Sequence, residues 1–131
     1  MGESEITSAL REAVPGLVAA YRFGSQVTGM ASAQSDVDIA VLADQALEPR
    51  ARWELQERLA ARVGRDVDLV DLRRANAVMR AQVITGGVLL LDLAPFARAL
   101  FEACALSDYA RLNEERRGIL EDVRARGTIH G

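Results

Sequence analysis

Gly24-Ser25, then ten residues, then Asp36-Val37-Asp38-Ile39-Ala40-Val41-Leu42: the reading of this chain turns on that stretch. A turn dipeptide leads to two carboxylates one residue apart at the head of an apolar run. In a β-strand, side chains two positions apart share a face, so Asp36 and Asp38 would project together, close enough to share a divalent cation. Hard cations such as Mg²⁺ take oxygen ligands, commonly one or two carboxylates plus substrate phosphates. Gly24 and Ser25 follow a second apolar run, Leu17-Val18-Ala19-Ala20-Tyr21-Arg22-Phe23. Glycine lets the backbone come close to a bound group, and Ser25 offers a hydroxyl and an N–H to phosphate oxygens.

An Asp-x-Asp pair alone is weak, because paired acids at a strand end are usually solvated. Here the two acids head a run apolar enough to be buried, where uncompensated charge is costly. A further acidic strand follows at Asp66-Val67-Asp68-Leu69-Val70-Asp71-Leu72. Asp66 and Asp68 share a face of that strand, and Asp71 should point the other way. Strand-end solvation or helix capping accounts for Asp66 and Asp71 without invoking a site.

Together these residues resemble the signature of the DNA-polymerase-β-like nucleotidyltransferases. The strings Phe23-Gly24-Ser25-Gln26-Val27-Thr28-Gly29 and Ser35-Asp36-Val37-Asp38-Ile39-Ala40-Val41-Leu42 are similar to its small prokaryotic branch, the minimal nucleotidyltransferases. The segments Val67 to Leu72 and Gly87-Val88-Leu89-Leu90-Leu91 look like the same branch. The resemblance implies a nucleotidyltransferase fold and a two-metal site in which Asp36 and Asp38 are paired Mg²⁺ ligands. Asp68 best matches the third acid, with Asp66 as its competitor. Gly24 and Ser25, with Ser35, match positions that hold the triphosphate of ATP. The chain departs from many relatives in carrying no basic residue between Gly29 and Ser35.

What the resemblance further implies is an antitoxin that transfers AMP from ATP to a tyrosine of a helical HEPN-type ribonuclease toxin. The partner would make a hetero-oligomer. Two other classes stay open: a nucleotidyltransferase acting on an aminoglycoside-type small molecule, and a non-catalytic toxin-binding module. The small size of the chain favours the first reading, since relatives that modify antibiotics or tRNA ends hold their acceptors with additional domains.

Composition removes competitors. All 16 basic residues are arginine. Without lysine there is no P-loop lysine, no lysyl-nucleotide intermediate and no Schiff base. The single histidine, His130, reads as tail, and the single cysteine, Cys104, as a small core residue in a helical apolar pattern. One cysteine excludes an internal disulfide and fits a reducing cytoplasm. Net charge −3 and a pI of about 5.2 argue against a general nucleic-acid binder. No signal peptide or apolar run long enough for a membrane is apparent.

The 131 residues suggest one domain, 1–131, of α/β (α+β) class with a small mixed sheet flanked by helices. A first helix over Ser4 to Val14 stops at Pro15-Gly16, and a strand follows over Leu17 to Phe23. The Gly-Ser turn opens a short helix, and a small-residue loop from Ala31 to Ser35 leads to the second strand. Pro49 starts a helix that Gly64 stops, with Leu55, Leu59 and Val63 as its stripe. A third strand spans Arg65 to Leu72, a helix Ala75 to Thr85, and a fourth strand Val88 to Leu91. From Pro95 to Arg126 there is no strong breaker until Gly127. By its residues that segment is open between a helix packed across the domain, a break near Ser107-Asp108, and a protruding arm that binds a partner; the resemblance implies a long C-terminal helical arm over about 95–126.

Overall fold

The computed structural model describes residues 3–24 and 36–130. The expected short helix after Gly24-Ser25 and the loop from Ala31 to Ser35 lie outside the described residues. Four strands form one sheet in the order β3-β2-β1-β4, with β1 Leu17–Phe23, β2 Val37–Ala43, β3 Val67–Asp71 and β4 Val88–Asp92. β1 runs antiparallel to both β2 and β4, whereas β2 and β3 are parallel. A parallel pair needs a crossover, which the second helix provides. The sheet is mixed, as the sequence implies.

The helices are α1 Glu3–Ala13, α2 Pro49–Val63, α3 Ala77–Gly86 and α4 Pro95–His130. In α1, Ile6, Ala9 and Leu10 recur at helical spacing and are buried. Pro49 occupies the first turn of α2, where a missing N–H costs nothing. Gly64 ends α2 in the left-handed conformation, φ 74°, and its N–H donates to the Ala60 carbonyl at 2.9 Å. Asn76 caps α3, its side chain accepting from the Met79 N–H at 2.8 Å.

Strand alternation divides the core in two. Leu17, Ala20, Ile39, Val41 and Leu69 face α1 and α2, where Leu10, Leu55 and Leu59 meet them. Val18, Tyr21, Ala40, Leu42 and Leu72 face the other way and pack with Val83 of α3 and Phe101 of α4. Truncating Leu59, which is fully buried, would cost about 2–5 kcal/mol.

α4 is a long C-terminal helix, as the resemblance implies: it runs unbroken over 36 residues, about 54 Å at 1.5 Å per residue, with no break at Ser107-Asp108. Two details depart from the expectation. The helix continues through Gly127 to His130, because one helical glycine costs only about 1 kcal/mol. Cys104 is exposed rather than in the core. The buried line of α4 runs through Phe101 and Ala105, and Cys104 lies one step off it beside the exposed Leu100 and Phe96. Among the described residues, no helix is long and apolar enough to cross a membrane.

Candidate active site

The end of β1 and the starts of β2 and β3 meet at one edge of the sheet. Phe23 is paired with Asp38, and Asp38 with Asp68. Neighbouring strands lie about 4.8 Å apart, so the parallel register sets these two aspartates side by side. They share the face of Ala40, Leu42 and Leu72, the one covered by α3 and α4. The register is held at its start by the Val37 N–H, which donates to the Asp66 carbonyl at 2.9 Å. Asp36 precedes β2 and is exposed, as is Asp68; Asp38 is half-buried.

Gly24 is bound to this arrangement by two constraints. Its φ is +79°, a conformation that side chains rarely adopt. A Cβ there would also run into the Asp38 carboxylate, whose Cγ lies 3.0 Å from the position it would take. The glycine turn and the Asp-x-Asp pair, distant in sequence, are thus in direct contact. Only hydrogen fits between them.

Electrostatics single out Asp38. Burial pushes its carboxyl above its ordinary pKa, and the charges of Asp68 and then Asp36 push it the same way. The charges of Asp68 and Asp36 therefore act together on Asp38, and among the described residues no cationic side chain offsets them there. An all-oxygen donor set with uncompensated negative charge suits a hard divalent cation such as Mg²⁺. Among the described residues, no three acidic, histidine or cysteine side chains already converge as a closed metal cage. Backbone register brings Asp38 and Asp68 together, and Asp36 stands exposed just ahead of β2.

The remaining acids separate cleanly. Asp66 is exposed one residue ahead of β3. Asp71 points to the opposite face, as alternation predicts, but it is neither solvated nor a helix cap. It is 4% exposed and accepts from the Leu47 N–H at 2.8 Å and the Arg73 N–H at 3.0 Å. It fastens the loop after β2 to the turn after β3. The cap of α3 is Asn76 instead. Ser25 and Ser35, expected at the triphosphate, lie outside the described residues, as does the stretch from Met30 to Gln34.

Sequence reasoning missed two contributors. The Tyr21 hydroxyl donates to Glu102 of α4 at 2.7 Å. Glu102 is paired in turn with Arg98 at 2.9 Å, and Arg98 with Asp92 at 2.8 Å. This network ties α4 to β1 three residues before Gly24. Its only sequence signal is a tyrosine within an otherwise apolar strand, whose hydroxyl needs a partner when buried. Gly87 is the other: a Cβ there would lie 3.1 Å from the Arg22 carbonyl and closer still to that of Val83. It lets the turn after α3 press against the site end of β1. The small cleft lined by Val14, Leu47, Leu55 and Arg58 borders α1 and α2, on the face away from Asp38 and Asp68.

Comparison with known proteins agrees with this fold. Residues 4–95 match the family model described as polymerase beta, nucleotidyltransferase. The chain is 42% identical over 125 residues to the protein adenylyltransferase MntA of Shewanella oneidensis, covering 95% of this chain and 89% of that one. Among solved structures, it is similar to one of a toxin-antitoxin with AMP-PNP, at 42% identity and a TM-score of 0.85, covering 95% of this chain and 99% of that one. It is also similar to the chain in a complex of tri-AMPylated Shewanella oneidensis HEPN toxin with MNT antitoxin, at 41% identity and a TM-score of 0.77, covering 93% and 95%. A signature turn held against paired aspartates, on a sheet of this topology and with likeness over nearly the whole length, settles the kinship: the chain belongs to the polymerase-β-type nucleotidyltransferase family.

Proposed function

We propose that this chain is a Mg²⁺-dependent protein adenylyltransferase, an antitoxin that moves AMP from ATP to a tyrosine hydroxyl of a cognate HEPN-type ribonuclease toxin and so neutralises it. It would act in the cytoplasm as one domain, residues 1–131, with the far part of α4 as an arm. The observation that carries the reading is Asp38 beside Asp68 with Gly24 beneath its carboxylate, in a chain this similar to a protein adenylyltransferase.

In this reading Asp36, Asp38 and Asp68 hold the metal, and Gly24, Ser25 and Ser35 hold the triphosphate. When bound, Mg²⁺ would neutralise the negative charge on the phosphoryl oxygens and on the leaving group. The residues position and screen; they form no covalent intermediate. The tyrosine oxygen forms a bond to the α-phosphorus, the bond from that phosphorus to the β-phosphate bridge breaks, and pyrophosphate leaves with the electron pair. The hydroxyl proton passes to a carboxylate, for which Asp68 is the candidate. A base in that position contributes roughly 10²–10⁴-fold. The absence of lysine in the sequence supports direct transfer rather than a lysyl-nucleotide route.

The test uses ATP labelled separately at the α- and γ-phosphates, with Mg²⁺ and, as acceptor, the product of the neighbouring gene. Label from the α-position should move to that protein and label from the γ-position should not. Transfer of γ-label would mean a kinase. No transfer to protein, with efficient modification of an aminoglycoside, would mean a small-molecule enzyme.

A further inference from the structure

Beyond Ala105, no described residue of α4 is buried, yet large apolar side chains continue: Ile119 is 62% exposed, Leu120 60% and Val123 58%. Their spacing is ordered. Ala105, Tyr109, Leu112, Arg116, Ile119 and Val123 follow one another at alternating intervals of four and three. That is the seam of a helix made to pack lengthwise against another helix. The seam has unlike borders. On one side, each of Tyr109, Arg116 and Val123 is preceded by an acid: Asp108, already paired with Arg111 at 3.6 Å, Glu115 and Asp122. On the other side stand Leu106, Asn113 and Leu120, none of them charged.

We propose that this strip seats a helix of the partner protein: one with an apolar seam at the same spacing and a row of Lys or Arg along the border that faces Asp108, Glu115 and Asp122. The identity of that partner as the toxin rests on the function proposed above; the chemistry of the strip does not. A second copy of this chain is a poor occupant. Paired in parallel, the acidic border would meet an uncharged one, and Arg116 would face its own copy across the seam. Paired antiparallel, acids would face acids. Flanking charges of this kind choose partners by attraction and by repulsion. Tyr109, Leu112 and Ile119 would be the anchors, and the charged borders would act mainly on encounter and specificity.

The experiment is a binding titration of the purified full chain against the product of the neighbouring gene. Leu112→Glu with Ile119→Glu should weaken Kd by at least about 30-fold, the loss expected when an anchor is removed. Reversing the acidic border with Asp108→Arg, Glu115→Arg and Asp122→Arg should weaken it by about tenfold or more at low salt. That difference should shrink near 1 M salt, where the Debye length falls to about 3 Å. ATP binding and helix content by circular dichroism should not change in either variant, because every altered residue lies away from the sheet. Wild-type affinity in both variants would overturn the proposal while leaving the adenylyltransferase reading intact. So would a chain that dimerises alone in sedimentation and loses the dimer with Leu112→Glu and Ile119→Glu, since the seam would then belong to a second copy. A wild-type chain that neither binds nor modifies its neighbour overturns the partner's identity, and this proposal with it.

Discussion

Asp68 and Asp71 stand three residues apart on one strand and face opposite ways, so they separate a chemical role from a structural one. Asp68 is exposed beside Asp38, at the edge where like charges accumulate. Asp71 is buried and accepts two backbone N–H groups. Asp68→Asn should therefore reduce transfer by roughly 10²–10⁴-fold if it serves as base, with the melting temperature nearly unchanged. Asp71→Asn should do the reverse. Weakening a buried acceptor costs about 1–3 kcal/mol, seen in denaturant unfolding, with a much smaller effect on rate. A larger rate loss at Asp71 would mean that the parallel register is wrong by an odd number of residues.

At this scale the sequence was informative where spacing alone dictates geometry. Asp36-x-Asp38 heads a strand, and alternation fixed the opposite facings of Asp68 and Asp71. The contact between Gly24 and the Asp38 carboxylate was not legible. It depends on how β1 and β2 pair across an intervening segment, which no local pattern encodes. Cys104 misled for a related reason. Helical periodicity says that a face is apolar, but it does not say which of two adjacent apolar lines, Phe101-Ala105 or Leu100-Cys104, meets the sheet.

Among the elements, α4 is held to the sheet by Tyr21, Glu102, Arg98 and Asp92 as well as by packing. Burial, then the hydrogen bond and the charge of Glu102, push the Tyr21 hydroxyl well above its usual pKa of 10.0. The folded chain thus keeps a proton that the unfolded chain releases above that pH. The linked stability is fully present below about pH 10 and is lost as the pH rises toward the folded-state value. Tyr21→Phe should cost about 1 kcal/mol at neutral pH through the lost hydrogen bond. It should also remove part of the alkaline loss, which urea unfolding at about pH 9 and about pH 11 would register. An equal alkaline loss in the variant would show that another group governs it. Helix and strand bounds were mostly legible because proline and glycine punctuate them: Pro49 and Gly64 bracket α2, and Gly86-Gly87 closes α3. Continuity of α4 was not, since neither Ser107-Asp108 nor Gly127 is a strong enough breaker to decide between one helix and two.

For the whole molecule, the sheet edge and the far part of α4 are separate assets. Asp38 and Asp68 sit on strands, whereas α4 beyond Leu106 contributes no buried residue among those described. Truncation after Leu106 should leave ATP affinity within about twofold while weakening capture of the partner by well over about 30-fold, since Tyr109, Leu112 and Ile119 all go. Calorimetry with ATP and with the partner separates the two. Equal loss of both would mean that the arm supports the fold rather than the interface. Topology across the whole chain was foreseen through family resemblance, not through periodicity; apolar runs alone cannot choose among strand orders.

If Asp36 and Asp38 make this chain an enzyme that places AMP on another protein, intact mass spectrometry of the neighbouring gene's product, after incubation with ATP and Mg²⁺, will separate the wild type from Asp36→Asn/Asp38→Asn. The wild type should add whole AMP units to its partner. The double variant, still folded and slightly more heat-stable as apo protein because like charges are removed, should add none. Equal addition by both, or no addition by the wild type, would contradict that assignment.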